Sequence, residues 1–387
     1  MPTRIVYIDD QAEEAHRAER VRERLSRSEE IHCALVAPPD DINGIGEVEI
    51  EGEGSIADNP PSLFLVDQDL ISVNYFGSAL VAQIRDQFPE HPIVIITRRS
   101  VLRNLGPEKS RQLVEEMQTF DELVLKDVVE DDPEAVQQIL ITLSDGFRVL
   151  RGLEDKAWAS LVSAIGADEE EADLLRETAP PLQKPGAVYD DREGDRRGIK
   201  GIWTVTGAAH WVRSVIISYP GILYAALHSA TRLGISVDAF MREEVQRELE
   251  GCIYEGVFAP HEGRWWKQRL LGTAQELILE QELEGQTNKT FAQAFYRKHQ
   301  VELEPATCVW DGSPSADQVC HILKAPVKKE HSLRYYPDNR PSIMDHARVS
   351  FRAIQESDDF DDELLDSSGR KLFAAIQDLQ DPKTRAA

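Results

Sequence analysis

Short apolar runs alternate with segments of helical periodicity along the first 150 residues of the chain. Between the runs, apolar side chains recur at steps of three and four residues, the spacing that places them on one face of a helix. The pattern predicts strands at residues 4–8, 31–37, 62–66, 92–96 and 122–125 and helices at residues 11–28, 76–88, 107–120 and 133–150. Strands that alternate with helices indicate βαβ units and therefore a parallel sheet covered on both faces.

The segment from residue 38 to residue 61 interrupts this alternation. It is rich in glycine, proline and acidic residues, which favour turns over regular helices. We therefore expect a long loop there, with an additional short strand at residues 48–50.

A chemically useful side chain follows four of the predicted strands. Asp9 and Asp10 come directly after the first strand, Asp67 after the third, Thr97 after the fourth and Lys126 after the fifth. Parallel α/β sheets bind their ligands outside the carboxyl ends of the strands, where the strand order reverses. The sequence therefore predicts one crevice that gathers three acids, a hydroxyl and an amine.

This ordered set resembles the receiver domain of two-component response regulators. The family has an acidic pair after strand one, an acceptor aspartate after strand three, Thr or Ser after strand four and Lys after strand five, and the step from Asp67 to Thr97 is its usual spacing. The resemblance covers residues 1–150. It implies an α/β fold with a doubly wound, five-stranded parallel sheet, flavodoxin-like, in which Asp67 is the phosphoacceptor.

The resemblance also implies a cofactor. Neighbouring carboxylates repel one another unless a cation neutralises them, and Mg²⁺ prefers oxygen ligands. As in the family, Asp10 and Asp67 are expected as direct ligands, Asp9 as a ligand through water, and the backbone carbonyl of Asp69 completes the set. Thr97 and Lys126 are then expected to contact the phosphoryl group on Asp67.

The chain departs from the family pattern close to this set. Asp127 stands where the family usually has proline, and the bulky Arg98 stands where a small residue is usual. Leu123 and Val124 occupy the region of the family's switch aromatic. A receiver fold that serves only for protein docking therefore stays open as an alternative.

Composition narrows the classes of partner. The formal net charge is −26, which disfavours broad binding to nucleic acid or to anionic membranes, and no nucleic-acid-binding residues are expected. The four cysteines form no C-x-x-C pair and are expected to be reduced thiols. No signal peptide is visible, and the apolar stretch at residues 215–227 is too short to span a bilayer. We expect a soluble cytoplasmic protein.

The remainder of the chain divides into three predicted parts. Residues 151–198 are a helical connector and linker, with an acidic patch at residues 168–171 that we expect to be a solvated face. Residues 199–355 form a mainly helical output or interaction domain, with helices at residues 210–233, 240–253 and 265–284. Residues 356–387 are an acidic tail with a short helix at residues 372–379. Five tryptophans are expected in the core of the helical domain: Trp203, Trp211, Trp265, Trp266 and Trp310.

The helical domain matches no output chemistry that we recognise. The segment at residues 241–250 is acidic, whereas a DNA-recognition helix is basic. Cys308, Cys320 and His321 could ligate zinc, but their spacing lacks the paired form of structural sites. The cluster of Arg264, Lys267 and Arg269 is expected to be a solvated face. Three histidines in aromatic surroundings are expected to be structural: His210, His228 and His261.

The favoured function is a receiver-type signalling protein that accepts a phosphoryl group on Asp67 with Mg²⁺ and relays the change to another protein. The implied partners are a histidine kinase or phosphotransfer protein and a downstream protein, and a homodimer is left open. This is a phosphoacceptor regulator rather than an enzyme. Two alternatives are an effector enzyme whose C-terminal activity is gated by the receiver and a DNA-binding regulator, against which the acidity argues.

Overall fold

The computed structural model describes a defined part of the chain: residues 2–10, 15–68, 70, 73, 77–99, 120–154, 157–178, 188–189, 201–281, 290–335, 344–356, 364–365, 369–371 and 373. The metal ligand predicted at Asp69 lies outside these residues. So does nearly all of the helix predicted at residues 107–120 and of the tail helix predicted at residues 372–379.

The strands in chain order are β1 (Thr3–Ile8), β2 (Ile31–Val36), β3 (Glu49–Ile50), β4 (Gly54–Ser55), β5 (Leu63–Asp67), β6 (Ile93–Thr97), β7 (Glu122–Leu125), β8 (Val188–Tyr189), β9 (Gly201–Ile202), β10 (Leu223–Tyr224), β11 (Trp265–Trp266), β12 (Gln318–Cys320), β13 (Ala325–Val327), β14 (Ser332–Tyr335) and β15 (Ala347–Ser350).

The α-helices are α1 (Ala15–Leu25), α2 (Gly77–Gln87), α3 (Lys126–Asp131), α4 (Pro133–Gly152), α5 (Trp158–Ile165), α6 (Glu169–Thr178), α7 (Val205–Trp211), α8 (Ala226–Leu233), α9 (Val237–Phe240), α10 (Glu243–Glu248), α11 (Lys267–Glu280), α12 (Phe291–His299) and α13 (Phe351–Glu356). Short 3₁₀ helices lie at Ile42–Glu47, Glu250–Cys252 and Lys329–His331, and a π-helical segment lies at Val212–Ile217.

The chain forms two compact units. The first comprises Met1–Gly166, Pro180–Val212 and Gly256–His261, and the second comprises Ala167–Ala179, Arg213–Glu255 and Glu262–Ala387. The domain boundaries predicted from the sequence at residues 150, 198 and 355 stay predictions.

The first unit contains a five-stranded sheet. All pairings are parallel, and the strand order is β2-β1-β5-β6-β7. The α/β prediction is confirmed, and the ends of the five predicted strands shift by at most one residue. Counted along the chain, the order is that of the flavodoxin-like sheets, which wind outward in both directions from the first strand.

Two of the three interior strands, β5 and β6, are buried along their whole length. Helices on both faces exclude water from such strands, so both sets of alternating side chains must be apolar until the strand ends. Each fully buried Leu, Ile, Val or Phe contributes about 1.5–3 kcal/mol relative to an exposed one. Asp67 and Thr97, the last residues of the two strands, are the polar exceptions.

The segment predicted as a long loop is partly ordered by its own contacts. The N-cap of the 3₁₀ helix at Ile42–Glu47 is Asp41, whose carboxylate accepts the N–H of Asn43 at 3.0 Å. Strands β3 and β4 pair as a hairpin, which confirms the short strand predicted at residues 48–50. The segment is held to the sheet because Ile45, Ile50 and Ile56 are buried in one hydrophobic core together with residues of the strands.

Helix α4 follows the fifth strand of the sheet after one short helix. Its N-cap is Asp132, whose carboxylate accepts the N–H of Ala135 at 3.1 Å, and Pro133 occupies the first turn. The helix ends at Gly152, two residues beyond its predicted end, and a separate helix, α5, begins at Trp158.

The second unit is helix-rich, as predicted, but it also contains a four-stranded sheet of order β13-β12-β15-β14. The helix predicted at residues 210–233 is broken between Trp211 and Ala226 by the π-helical segment and strand β10. Pro220 lies in this break, and proline cannot donate the helical hydrogen bond. The helix predicted at residues 240–253 is replaced by α9, α10 and a 3₁₀ turn, and the one predicted at residues 265–284 begins at Lys267 and ends at Glu280.

Four of the five tryptophans expected in the core of the helical domain are buried, but only two of these four belong to the second unit. Trp203 and Trp211 are buried in the first unit, and Trp265 and Trp266 are buried in the second. Trp310 is 38% exposed, so its assignment to the core is wrong. In the second unit the rings of Phe240 and Trp265 meet edge to face, with centroids 4.8 Å apart.

Among the described helices, none combines the length and the apolar content that a bilayer span requires.

Candidate functional site

The register of the parallel sheet brings the predicted site residues to one edge. Ile8 pairs with Val66, so Asp9 and Asp67 follow neighbouring positions on β1 and β5. Asp67 pairs with Ile96, and Thr97 pairs with Leu125. Four of the predicted residues therefore lie at the carboxyl ends of adjacent strands, with Lys126 as the first residue of α3.

Lys126 joins two of the acids. Its Nζ donates to Asp67 Oδ2 at 2.7 Å and to Asp9 Oδ2 at 2.9 Å. The three residues are only 4%, 3% and 4% exposed for Lys126, Asp67 and Asp9, respectively. Burying an ion is costly unless it is paired and hydrogen-bonded, and a single ammonium here serves two carboxylates. Counted by formal charge, two carboxylates and one ammonium leave one negative charge in excess.

Tyr7 is a member of the site that the sequence analysis missed. Its hydroxyl donates to Asp9 Oδ2 at 2.5 Å. Burial, followed by the negative charges of Asp9 and Asp67, raises the pKa of Tyr7 well above its ordinary value, so the phenol keeps its proton and remains a donor. The signal in the sequence was the two-residue step from Tyr7 to Asp9, because side chains at i and i+2 of an extended segment share one face.

Thr97 brings a hydroxyl that is not hydrogen-bonded within the part of the chain that the structure describes. The residue is 1% exposed, and its Oγ1 is buried. A buried polar atom without a partner costs about 1–3 kcal/mol, so a native structure seldom contains one without a reason. The hydroxyl can donate to an added anion at this edge of the sheet.

The acids have the donor atoms that a hard divalent cation prefers. Asp9 and Asp67 are buried, and Asp10 is half-buried beside them in sequence. Their oxygens carry more negative charge than Lys126 neutralises, and a cation with oxygen ligands would balance the remainder. These residues therefore fit Mg²⁺ by donor type and charge.

Asp127, which departs from the family pattern, has a defined structural role. Its Oδ2 accepts the backbone N–H of Arg99 at 2.9 Å, and its Oδ1 accepts from the Arg17 guanidinium at 2.8 Å. The Arg99 N–H bond first, and then the charge of Arg17, lowers the pKa of Asp127. The residue after Lys126 thus connects α1 to the segment that follows Thr97, a link that no local pattern predicts.

Two basic residues of the second unit, and an acid predicted to be solvated, are in fact paired. Glu171 is buried, and its Oε1 accepts from Arg269 Nε at 2.8 Å. Lys267 Nζ donates to Asp345 Oδ1 at 2.7 Å. The predictions of solvated faces at residues 168–171 and at Lys267 and Arg269 are therefore wrong for these side chains. Their partners lie far away in the sequence.

The three residues considered and disfavoured as zinc ligands do not form one cluster among the described residues. Cys320 Sγ accepts the N–H groups of Leu323 at 3.5 Å and Ser350 at 3.3 Å. Cys308 instead lies with Asp311 and His331.

The histidines expected to be structural differ in their surroundings. His228 stacks on Tyr224 with ring centroids 6.0 Å apart, as expected of a structural histidine. His261 is exposed, so its assignment to aromatic surroundings is wrong, and His210 is half-buried.

No protein-family model matches the chain, and no curated protein matches it. Solved structures similar to it include NtrX from Brucella abortus, 21% identical with a TM-score of 0.29, over 46% of this chain and 34% of that one. The receiver domain of the same NtrX is 21% identical with a TM-score of 0.25, over 35% of this chain and 97% of that one. The response regulator TrrA from Thermotoga maritima, in complex with Mg²⁺ and BeF, is 18% identical with a TM-score of 0.24, over 36% and 98%.

The match to the full NtrX chain thus spans about a third of that protein's length. The strand order and the all-parallel pairing are those of flavodoxin-like sheets. This strand order agrees with the flavodoxin-like fold that the sequence predicted for residues 1–150.

Proposed function

We propose that the chain is a response-regulator-like signalling protein that accepts a phosphoryl group on Asp67. The observation that carries this proposal is the buried ammonium of Lys126, 2.7 Å from Asp67 Oδ2 at the carboxyl edge of the sheet. A buried lysine at this place keeps a positive charge next to the carboxylate that would react. Phosphoryl transfer depends mostly on such positioning and charge neutralisation.

The reaction needs a nucleophile and a donor with a good leaving group. In the proposed step an Asp67 carboxylate oxygen forms a bond to phosphorus, and the P–N bond of a phosphohistidine in a kinase or phosphotransfer protein breaks. The electron pair of that bond stays on the imidazole, and Asp67 becomes an acyl phosphate. Lys126 can then donate to a phosphoryl oxygen, while Tyr7 holds Asp9 by its hydrogen bond.

Asp9, Asp10 and Asp67 are the proposed holders of Mg²⁺, with the backbone of Asp69 added on the resemblance to the family. When bound, Mg²⁺ would supply positive charge to the incoming phosphoryl oxygens. The acids of this chain orient that charge, and Lys126 offsets part of the negative charge of the pocket before the reaction.

Thr97 is the proposed sensor of the phosphoryl group. Its buried hydroxyl has no hydrogen-bond partner in the described part of the chain, and a phosphoryl oxygen is a strong acceptor. A new bond to Thr97 would displace the segment that runs on to Arg99, whose N–H is bound to Asp127. A local charge change would thereby bias the contact between this segment, α1 and α3.

The proposed output of the protein is a contact with another protein, and no binding to DNA is involved. The net charge of −26 supports this, because a polyanion would be repelled. A histidine kinase or phosphotransfer protein upstream and a protein partner downstream complete the proposed pathway.

Incubation of the full chain with acetyl phosphate and Mg²⁺, followed by intact-mass spectrometry, tests the proposal. We expect a gain of one phosphoryl group that requires Mg²⁺ and that Asp67→Asn abolishes. Asp40→Asn is the matched control, because Asp40 is an exposed acid of the same unit, and it should leave the modification unchanged. If the wild-type chain is not modified by acetyl phosphate and also accepts no phosphoryl group from a phosphohistidine donor, the phosphorylation proposal is refuted. The alternative of a receiver fold used only for protein docking would then remain.

A further inference from the structure

Three potential metal ligands from different parts of the second unit converge next to its four-stranded sheet. Cys308 Sγ lies 3.5 Å from His331 Nδ1, and Asp311 Oδ2 lies 3.7 Å from the same nitrogen. All three ligand atoms lie within 4.8 Å of one another. We propose that Cys308, Asp311 and His331 form a Zn²⁺ site, independent of the phosphoacceptor site of the first unit.

The separation between the sulfur and the nitrogen matches what one tetrahedral ion requires. With Zn–S near 2.3 Å and Zn–N near 2.0 Å, tetrahedral angles place sulfur and nitrogen about 3.5 Å apart. The observed 3.5 Å between Cys308 Sγ and His331 Nδ1 agrees with this. A thiolate, an imidazole and a carboxylate are a donor set that suits zinc, whereas Mg²⁺ prefers oxygen ligands alone.

A hydrogen-bonded turn contains two of the ligands, Cys308 and Asp311. Cys308 donates its N–H to the carbonyl of Ser313 at 2.8 Å, and Gly312 donates to the carbonyl of Cys308 at 2.8 Å. Gly312 has a φ of +68°, a conformation that favours glycine. The turn therefore holds Cys308 and Asp311 three positions apart, the spacing of paired ligands in many structural zinc sites. His331 ends a 3₁₀ helix and supplies the third ligand.

Hydrogen bonds outside the cluster already orient its atoms. Ser313 donates its N–H and its hydroxyl to Asp311 Oδ1, at 3.0 and 2.5 Å, which leaves Oδ2 toward His331. Cys308 Sγ accepts the N–H of Lys328 at 3.5 Å. Outer hydrogen bonds of this kind fix ligand geometry in metal sites.

The geometry argues against the rival interpretation, a cysteine nucleophile with a histidine base. In such a triad the histidine uses one ring nitrogen for the nucleophile and the other for the acid. Here Cys308 and Asp311 both approach Nδ1 of His331. A thiol, a carboxylate and an imidazole nitrogen that converge in this way indicate ligands of one shared ion rather than a catalytic triad that transfers a proton.

The site also has access to solvent. The side chains of His331 and Asp311 are 24% and 35% exposed, whereas Cys308 is buried. An ion can therefore enter from the His331 side, and a water molecule can take the fourth position, as in zinc sites with three protein ligands.

The test uses the full chain, stripped of metal and titrated with Co²⁺ while its absorption spectrum is recorded. We expect visible bands of tetrahedral Co²⁺ and a near-ultraviolet thiolate-to-cobalt band, both removed by one equivalent of Zn²⁺. Cys308→Ser should abolish the thiolate band. Cys252→Ser is the matched control, because Cys252 is another buried thiol of this unit whose Sγ contacts Thr273, and it should keep the band.

His331→Asn serves as a second variant, because its position at the surface makes the fold less sensitive than at Cys308, and far-ultraviolet circular dichroism checks the folding of each variant. It should weaken Co²⁺ binding at least tenfold. Asp67→Asn should leave the thiolate band unchanged, which separates this site from the phosphoacceptor site. A wild-type chain without a thiolate band, or a band that survives in Cys308→Ser, would overturn the proposal and leave a hydrogen-bonded Cys–His–Asp cluster.

Discussion

Lys126 Nζ lies 2.7 Å from Asp67 Oδ2, and both side chains are almost wholly buried. The two residues are 59 positions apart in the chain, so only the parallel sheet brings them together. The pair connects the stability of the first unit to its proposed chemistry, because the same ammonium that allows Asp67 to be buried as an anion would neutralise a phosphoryl group.

Lys126→Met should destabilise the first unit strongly. Removing one partner of a buried ion pair typically costs about 3–5 kcal/mol, and here two buried carboxylates lose the ammonium that lies between them. Urea unfolding at neutral pH, followed by circular dichroism, measures the loss. The double variant Lys126→Met with Asp67→Asn should recover part of it. An unchanged unfolding midpoint in the single variant would contradict the buried geometry.

Thr97→Val should leave the stability of the protein intact while weakening its conformational response to phosphorylation. The substitution removes a buried hydroxyl and keeps the shape of the side chain, so the free energy of unfolding should stay level or rise by up to about 1 kcal/mol. Phosphorylation of Asp67 by acetyl phosphate should persist, but the change in protease sensitivity that it causes in wild type should shrink. A large loss of stability would show instead that the hydroxyl has a partner in the native protein.

Asp127→Ala should loosen the segment after β6. The backbone N–H of Arg99 loses its acceptor, so its hydrogen exchange should accelerate at least tenfold. Global stability should fall by less than about 1 kcal/mol, because the side chain is partly exposed and its ion pair with Arg17 is screened. Asp131→Ala, an exposed acid on the same helix, is the control and should leave the Arg99 exchange rate unchanged.

His91 should make the first unit sensitive to mild acid. Burial first, and then the positive charges of Arg151 and Arg85, lowers its pKa from 6.5 to about 4. Between these two pH values the unfolded chain binds a proton that the folded protein does not, so the histidine's contribution to stability is lost as pH falls from 6.5 toward 4. His91→Gln should flatten the dependence of the unfolding midpoint on pH in this window. An equal slope in both proteins would exclude His91 as the cause.

The local pattern predicted much of the first unit. Strand positions follow from short apolar runs, and the placement of Asp9, Asp67, Thr97 and Lys126 follows from the rule that parallel strands end at one edge. Periodicity failed in the second unit, where the predicted helix at residues 210–233 is interrupted at Pro220. Apolar spacing alone does not distinguish a helix from a break that buries the same side chains.

The sequence by itself determined the parallel sheet, its polar edge and the acids on it. The reason is that each apolar run that forms a strand, and the polar residue that ends it, are consecutive in the chain. Tertiary structure alone decided which groups meet across long separations: Lys126 on Asp9, Arg99 on Asp127, Arg269 on Glu171, and His331 on Cys308. The physical reason is that a buried charge or ligand atom must find its partner in space. The periodic pattern of apolar residues along the chain does not predict which residue that partner is.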